Sequence, residues 1–186
     1  MSYHDSLPVV GVDVGGPKKG FHAVAILGGQ FGEKVATLNA AEVVAWCRKL
    51  DAPVVGIDAP CRWSCTGRAR SCDRELASEG IHAFATPSQV IGESHKFYRW
   101  MHNGARLYRL LTSHYKLFDG THSLSSPVFF EKFPQAVACA LAKTIVSAKH
   151  KRRDRRRLLR EAGLSIDSLT NIDMVDVTFP RLLHQS

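Results

Sequence analysis

No stretch of the chain reaches the roughly 18 to 20 uninterrupted apolar residues that a membrane-spanning helix needs, and the N-terminus Met-Ser-Tyr-His-Asp-Ser-Leu-Pro lacks the basic-then-apolar layout of a secretory signal. The expected location is therefore the cytoplasm, with no membrane partner. Cysteine is scarce and odd in number: Cys47, Cys61, Cys65, Cys72 and Cys139 make five. With no export signal to carry them to an oxidising compartment, they read as reduced thiols rather than a disulfide framework. The spacings of Cys61, Cys65, Cys72 and His82 match no compact zinc pattern, so these too read as free thiols. Internal repeats and low-complexity segments are missing as well. Acidic residues are outnumbered, 17 against 25 Lys and Arg, which leaves a formal charge of +8. Such a surface attracts phosphate backbones by counterion release, so nucleic acid is the expected partner. Oligomeric state is not legible.

What is present fits one domain over 1–186. The 186 residues, with 45% apolar and 23% charged side chains, suffice for a single packed core. Val9 to Val14 is a short, β-branched apolar run bounded by Pro8 and Gly15-Gly16, and it reads as a buried strand. After the turn Gly15 to Gly20, a second strand is expected over Phe21 to Leu27 and a third ending near Leu38. Asn39 is placed to cap a helix from Ala40 to Leu50. A fourth strand follows, Val54 to Ile57, ending in Asp58. A helical insertion is expected at about 61–125, with one helix near Ala69 to Ser78 and another from about Phe97 to Tyr115. Val128 to Phe133 reads as a fifth strand, Gln135 to Lys143 as a helix, and residues 151–162 and 168–177 as two closing helical patches. Right-handed crossovers then set strands one, four and five parallel and side by side. The expected fold is α/β and ribonuclease H-like: a five-stranded mixed sheet, three strands antiparallel and two more parallel, flanked by helices.

The acids occupy unusual places. Asp13 sits in an otherwise apolar strand, where a lone carboxylate is costly unless paired or bound to a cation. Asp58 ends the fourth strand in the similar context Val-Val-Gly-Ile-Asp-Ala-Pro, and Glu131 lies near the end of the fifth. Asp173 and Asp176 are three apart, on one face of the last helical patch. Convergence of Asp13, Asp58, Glu131, Asp173 and Asp176 would make a catalytic centre for Mg²⁺ or Mn²⁺, with one ion or two, suited to phosphoryl transfer. Each acid also has a purely structural explanation: a turn cap for Asp13, an N-cap for Asp58, a lysine partner for Glu131.

The motifs resemble a known family, the predicted nucleases of ribonuclease H-like fold catalogued as domain of unknown function number 429. The resemblance rests on Val-Gly-Val-Asp-Val-Gly-Gly-Pro-Lys-Lys-Gly-Phe-His-Ala-Val at 10–24 and Gly-Ile-Asp-Ala-Pro at 56–60. It continues through Gly67-Arg68, Cys72-Asp73-Arg74-Glu75-Leu76, Thr86-Pro87-Ser88, and Glu131-Lys132-Phe133-Pro134. It implies that the same five acids are metal ligands in a metal-dependent nuclease. The chain departs from it after Asp176, where Pro180 makes the closing helix short.

Between 149 and 160, eight basic residues surround a single acid; Lys151, Arg152, Arg153, Arg155, Arg156 and Arg157 are the expected grip on a nucleic-acid backbone, with a solvated helix face as the plainer reading. Lys18, Lys19, His22, Arg68 and Arg74 are candidate substrate contacts. Arg70, Asp73 and Glu75 join Arg68 and Arg74 in a charged set that fits either substrate contact or a structural ion-pair network. Two other functions fit the residues: a non-catalytic nucleic-acid-binding module of the same fold, and an actin-like phosphate-binding protein built on the glycine turn. The second ordinarily needs two such domains, and this chain has room for one.

Overall fold

A computed structural model describes residues 7–118, 120, 127–146, 157, 160 and 161. Its centre is the apolar run expected at the start of the chain. β1 (Val9–Val14) pairs antiparallel with β2 (Phe21–Leu27), which pairs antiparallel with β3 (Gln30–Thr37). α1 (Ala40–Lys49) then crosses back. Its first turn is fixed by Asn39, whose side-chain oxygen accepts from the Ala41 amide at 3.0 Å. β4 (Val54–Asp58) lies parallel to β1, and β6 (Val128–Glu131) lies parallel to β4.

Between them come α2 (Ser71–Ser78), α3 (Gln89–Ser94), a 3-10 turn over Lys96–Tyr98, α4 (Arg99–Leu111) and β5 (Lys116–Leu117), and α5 (Pro134–Ala142) follows β6. The sheet therefore has six strands, in the order β3-β2-β1-β4-β6-β5, not the five expected. The added strand is two residues long, too short for any alternation of apolar and polar positions to betray it. The helix expected from Phe97 to Tyr115 also differs. A 3-10 turn precedes it and it ends at Leu111, although the Tyr115 amide still donates to the Leu111 carbonyl and the buried Tyr115 ring extends the apolar spacing beyond the helix. The helical patches expected at 168–177 and over most of 151–162 lie outside the described residues.

The pleat sorts side chains between two faces. Val10, Val12, Val55, Ile57 and Phe129 turn towards α1 and α4, where Val43, Cys47, Leu107 and Leu111 complete the main core. Val9, Val54, Val128 and Phe130 turn the other way and form a smaller cluster with Phe118. Asp13 and Asp58 follow the parity of this second face, and on it Gly11 and Gly56, register partners two residues earlier, contribute no side chain. Burial of side chains such as Val10 and Leu111, each worth about 1.5–3 kcal/mol, thus holds the sheet, while Gly11 and Gly56 leave space on the second face next to the acids. Among the described residues, no helix is long and apolar enough to cross a membrane.

Candidate active site

Asp13 and Asp58 are direct register partners on neighbouring parallel strands, about 4.8 Å apart from strand to strand, with side chains on the same face. His22 is the register partner of Asp13 on the other side. The last register pair of β4 and β6 is Ile57 with Glu131, and the Lys132 amide donates to the Ile57 carbonyl at 2.9 Å, so the pleat carries Lys132 to the position beside Asp58. A row of His22, Asp13, Asp58 and Lys132 therefore crosses four strands at their C-terminal or turn ends. Lys132 is only 4% exposed, and with Asp13 and Asp58 it lines a pocket of about 280 Å³.

The turn after β1 supplies a cation to this row. Gly15, Lys19 and Gly20 donate their amides within the turn, to Gly20 and Gly16 carbonyls, which folds the segment back over the strand end. Lys19 Nζ then meets Asp13 Oδ2 at 2.8 Å. Gly15 permits this, because a Cβ there would lie 2.6 Å from the Lys19 side chain. Lys18 is exposed on the same turn.

The residue after Asp58 is held from above. The Tyr108 hydroxyl donates to the Ala59 carbonyl at 2.8 Å, and α4 comes close enough that a Cβ on Gly104 would sit 2.6 Å from the Ala59 methyl. Both contacts fix the backbone from which Asp58 projects.

Glu131 has a different setting. Its register with Ile57 turns it towards the opposite face, and both its oxygens are engaged. Arg70 donates to Oε1 and Oε2 at 2.7 Å each, a two-pronged pairing, and the Cys61 amide donates to Oε2 at 2.9 Å. The same guanidinium bonds Asp73, at 2.7 Å from its Nη2. Asp73 is buried and also accepts from the Arg70 and Thr86 amides. Burial works against the charge on Arg70, but the hydrogen bonds it donates to Glu131 and Asp73 outweigh that and raise its pKa. Burial likewise favours a neutral Asp73; the Arg70 and Thr86 hydrogen bonds prevail and hold its carboxyl below the ordinary 3.8. Burial, and then the Glu131 charge, pushes the Cys61 thiol up to about 11, so it is no nucleophile at neutral pH.

The structure thus brings together Asp13, Asp58, His22 and Lys19 from the residues expected in the sequence. Glu131 reaches the same pocket wall, but with its carboxylate bound to Arg70. Arg70 and Asp73, left open between substrate contact and structure, are a structural ion-pair network. Arg68 is exposed, and Arg74 is exposed with a hydrogen bond to the Ala69 carbonyl at 2.8 Å. Arg157 is exposed and paired with Glu161 at 2.9 Å. Asp173, Asp176, Lys151, Arg152, Arg153, Arg155 and Arg156 lie outside the described residues. Lys132 and Thr86 were not foreseen. A lysine inside the apolar run Val-Phe-Phe-Glu-Lys-Phe was the available signal for the first; for the second it was the motif Thr86-Pro87-Ser88 in the family resemblance.

Two observations bear on a bound cation. Among the described residues, no three His, Cys, Asp or Glu side chains gather closely enough to hold a metal by themselves. Also among them, Thr86 Oγ1, on a residue 1% exposed that lines the acid pocket, is a buried side-chain oxygen without a hydrogen-bond partner. Two hard carboxylates on one face fit a single Mg²⁺ or Mn²⁺, since Mg²⁺ is commonly held by one or two carboxylates, with water and substrate phosphate completing its shell. They do not by themselves fit a pair of ions.

Compared with known proteins, residues 11–183 match the model of a family described as "Protein of unknown function (DUF429)". No curated protein and no solved structure matches the chain.

Proposed function

The chain belongs to this family of proteins of unknown function, and from that premise we propose that it is a metal-dependent nuclease of ribonuclease H-like fold that hydrolyses phosphodiester bonds in nucleic acid. The observation that carries the reading is the register of Asp13 on Asp58, two carboxylates side by side at the ends of central parallel strands in a basic chain. The fold assignment is supported by the order of an antiparallel meander, a helix, and strands added parallel to β1.

Asp13 and Asp58 would hold the ion. When bound, a divalent cation supplies Lewis acidity to a phosphoryl oxygen and makes water a stronger nucleophile at neutral pH. The chain's own cations do the rest. Lys132, buried beside Asp58, and Lys18 and Lys19, on the facing turn, place positive charge where negative charge grows on the phosphoryl group. Lys19 is 46% exposed, so a phosphate can reach it and compete with Asp13 for its charge. His22, next to Asp13, is positioned to orient water or a phosphate oxygen. A second ion would require carboxylates beyond these two, which makes Asp173 and Asp176 its candidate ligands. The actin-like alternative is weakened because the Gly15, Lys19 and Gly20 amides, which would cradle phosphate, donate within their own turn.

The test is cleavage of end-labelled DNA and RNA with Mg²⁺, Mn²⁺ or EDTA. Cleavage should require the metal and fall at least about a hundredfold in Asp13→Asn and in Asp58→Asn. No metal-stimulated cleavage of either polymer, or undiminished cleavage in both variants, rejects the proposal; salt-sensitive binding without cleavage would leave a binding module.

A further inference from the structure

From Ser94 to Phe118 the chain contains no acidic residue, while Lys96, Arg99, Arg106, Arg109 and Lys116 all fall there and all are exposed. On α4, Arg99, Arg106 and Arg109 recur at helical spacing and share one outward stripe about 15 Å long. Asn103 donates to the Gly15 carbonyl at 2.7 Å, which ties this helix to the turn bearing Lys18 and Lys19. At the N-terminal end of the stripe stand uncovered aromatic rings. Phe84 and Phe97 are 68% and 47% exposed, and they meet edge to face at 5.2 Å. Phe97 meets Tyr98 in the same way at 5.1 Å. Phe84 also lines the pocket that holds Asp13 and Asp58.

Rings exposed beside a stripe of arginines match a ligand that is both polyanionic and planar. Aromatic side chains stack on bases without regard to sequence, and a basic groove follows the backbone. In a duplex the base faces are already stacked on one another and present nothing to Phe84. We infer that the chain takes its nucleic acid as an unpaired strand, with Phe84 and Phe97 stacking bases at the mouth of the acid pocket and Arg99, Arg106 and Arg109 holding phosphates along α4. The nuclease reading is needed only for what happens to the strand once it is bound.

The experiment is fluorescence anisotropy in EDTA with fluorescein-labelled oligothymidylate and oligouridylate of about 16 nucleotides, against a blunt hairpin duplex. At least one unpaired strand should bind about tenfold or more tightly than the hairpin. Phe84→Ala should weaken that binding roughly 5- to 100-fold, and Phe84→Trp should restore it. Replacing Arg99, Arg106 and Arg109 together by Gln should lower the slope of log affinity against log salt by about 2. Far-ultraviolet circular dichroism checks that each variant is folded. Equal binding of the hairpin, an unmoved Phe84→Ala, or an unchanged salt slope overturns the inference. So does a concentration-dependent dimer, seen by sedimentation, that Phe84→Ala abolishes while oligonucleotide binding is absent, since that assigns the rings to a second copy. Binding as expected with no cleavage in a parallel Mn²⁺ reaction rejects the nuclease reading alone; cleavage that consumes the hairpin equally and ignores Phe84→Ala rejects this inference alone.

Discussion

Arg70→Ala tests whether Glu131 belongs to the ion-pair network or to a metal. The guanidinium joins two carboxylates, and its removal leaves Glu131, 24% exposed, and Asp73, 6% exposed, without their shared cation. Breaking a buried pair by deleting one partner costs about 3–5 kcal/mol, and the partial exposure of Glu131 places this case near the lower end, about 3 kcal/mol. For a chain of this size that is a fall of about 6–12 °C in Tm. Urea unfolding followed by circular dichroism, with linear extrapolation, measures the loss directly. The sharper reading comes from the second variant. Glu131→Gln in the native chain gives up charge-assisted hydrogen bonds worth about 1.5–3 kcal/mol each, but in the Arg70→Ala background it removes an uncompensated carboxylate and should cost nothing or stabilise. An interaction energy under about 0.5 kcal/mol would refute the network. If Glu131 were instead a metal ligand, Glu131→Gln would weaken Mn²⁺ binding while leaving the stability of the metal-free chain almost unchanged.

Three more outcomes follow from the same geometry. Gly104→Ala should destabilise by about 1–2 kcal/mol by urea midpoint, even though alanine is favoured over glycine in a helix by about 1 kcal/mol, because the added methyl would meet the Ala59 methyl at 2.6 Å; a raised midpoint contradicts the close approach of α4. Lys19→Met should destabilise by about 1 kcal/mol, Lys19 being 46% exposed but Asp13 only 17%, yet tighten Mn²⁺ binding by calorimetry up to about fivefold by removing the competing charge from Asp13; weaker binding sinks the idea that Lys19 occupies the cation's place. Asp73 has a folded pKa below its ordinary 3.8, so its contribution is fully present above that value and is lost as pH falls below it towards the folded pKa. A series of urea midpoints between about pH 5 and pH 3 should therefore show an acid decline that is shallower in Asp73→Asn, and parallel curves would deny Asp73 that role.

The parts of the fold legible in the sequence were those with a long, uniform signal. Val9–Val14 and Val54–Asp58 are apolar runs that each contain Gly-x-Asp, and the right-handed crossover between them already implied parallel strands on which the two acids can face one another. Asn39 announced α1 because its capping chemistry is local. The region between β4 and β6 was less legible, since α3 has six residues and β5 two, and such lengths carry no period. The partner of Glu131 was wholly hidden. Arg70 lies 61 residues away, and only the folded insertion brings its side chain to the end of β6. The acid-free segment from Ser94 to Phe118 was visible in composition, but its meaning depends on α4 sorting its arginines to one outward face.

The charge balance of the pocket alters the reason for expecting a metal. Read from the sequence, several acids converging on one place demand an external cation, since their mutual repulsion is otherwise uncompensated. In the structure the chain supplies cations of its own: Lys19 on Asp13, Arg70 between Glu131 and Asp73, and buried Lys132 in the same pocket. Repulsion alone therefore no longer requires an ion. What remains is a difference in how firmly each cation is held. Arg70 is 13% exposed and bonded to two carboxylates, so displacing it would leave two charges stranded, whereas Lys19 is nearly half exposed and its displacement from this pair uncovers the single carboxylate of Asp13. On the proposed reading a divalent ion would compete for Asp13 and its neighbour Asp58, and would reach Glu131 only by breaking the ion pairs of Arg70 at the start of α2.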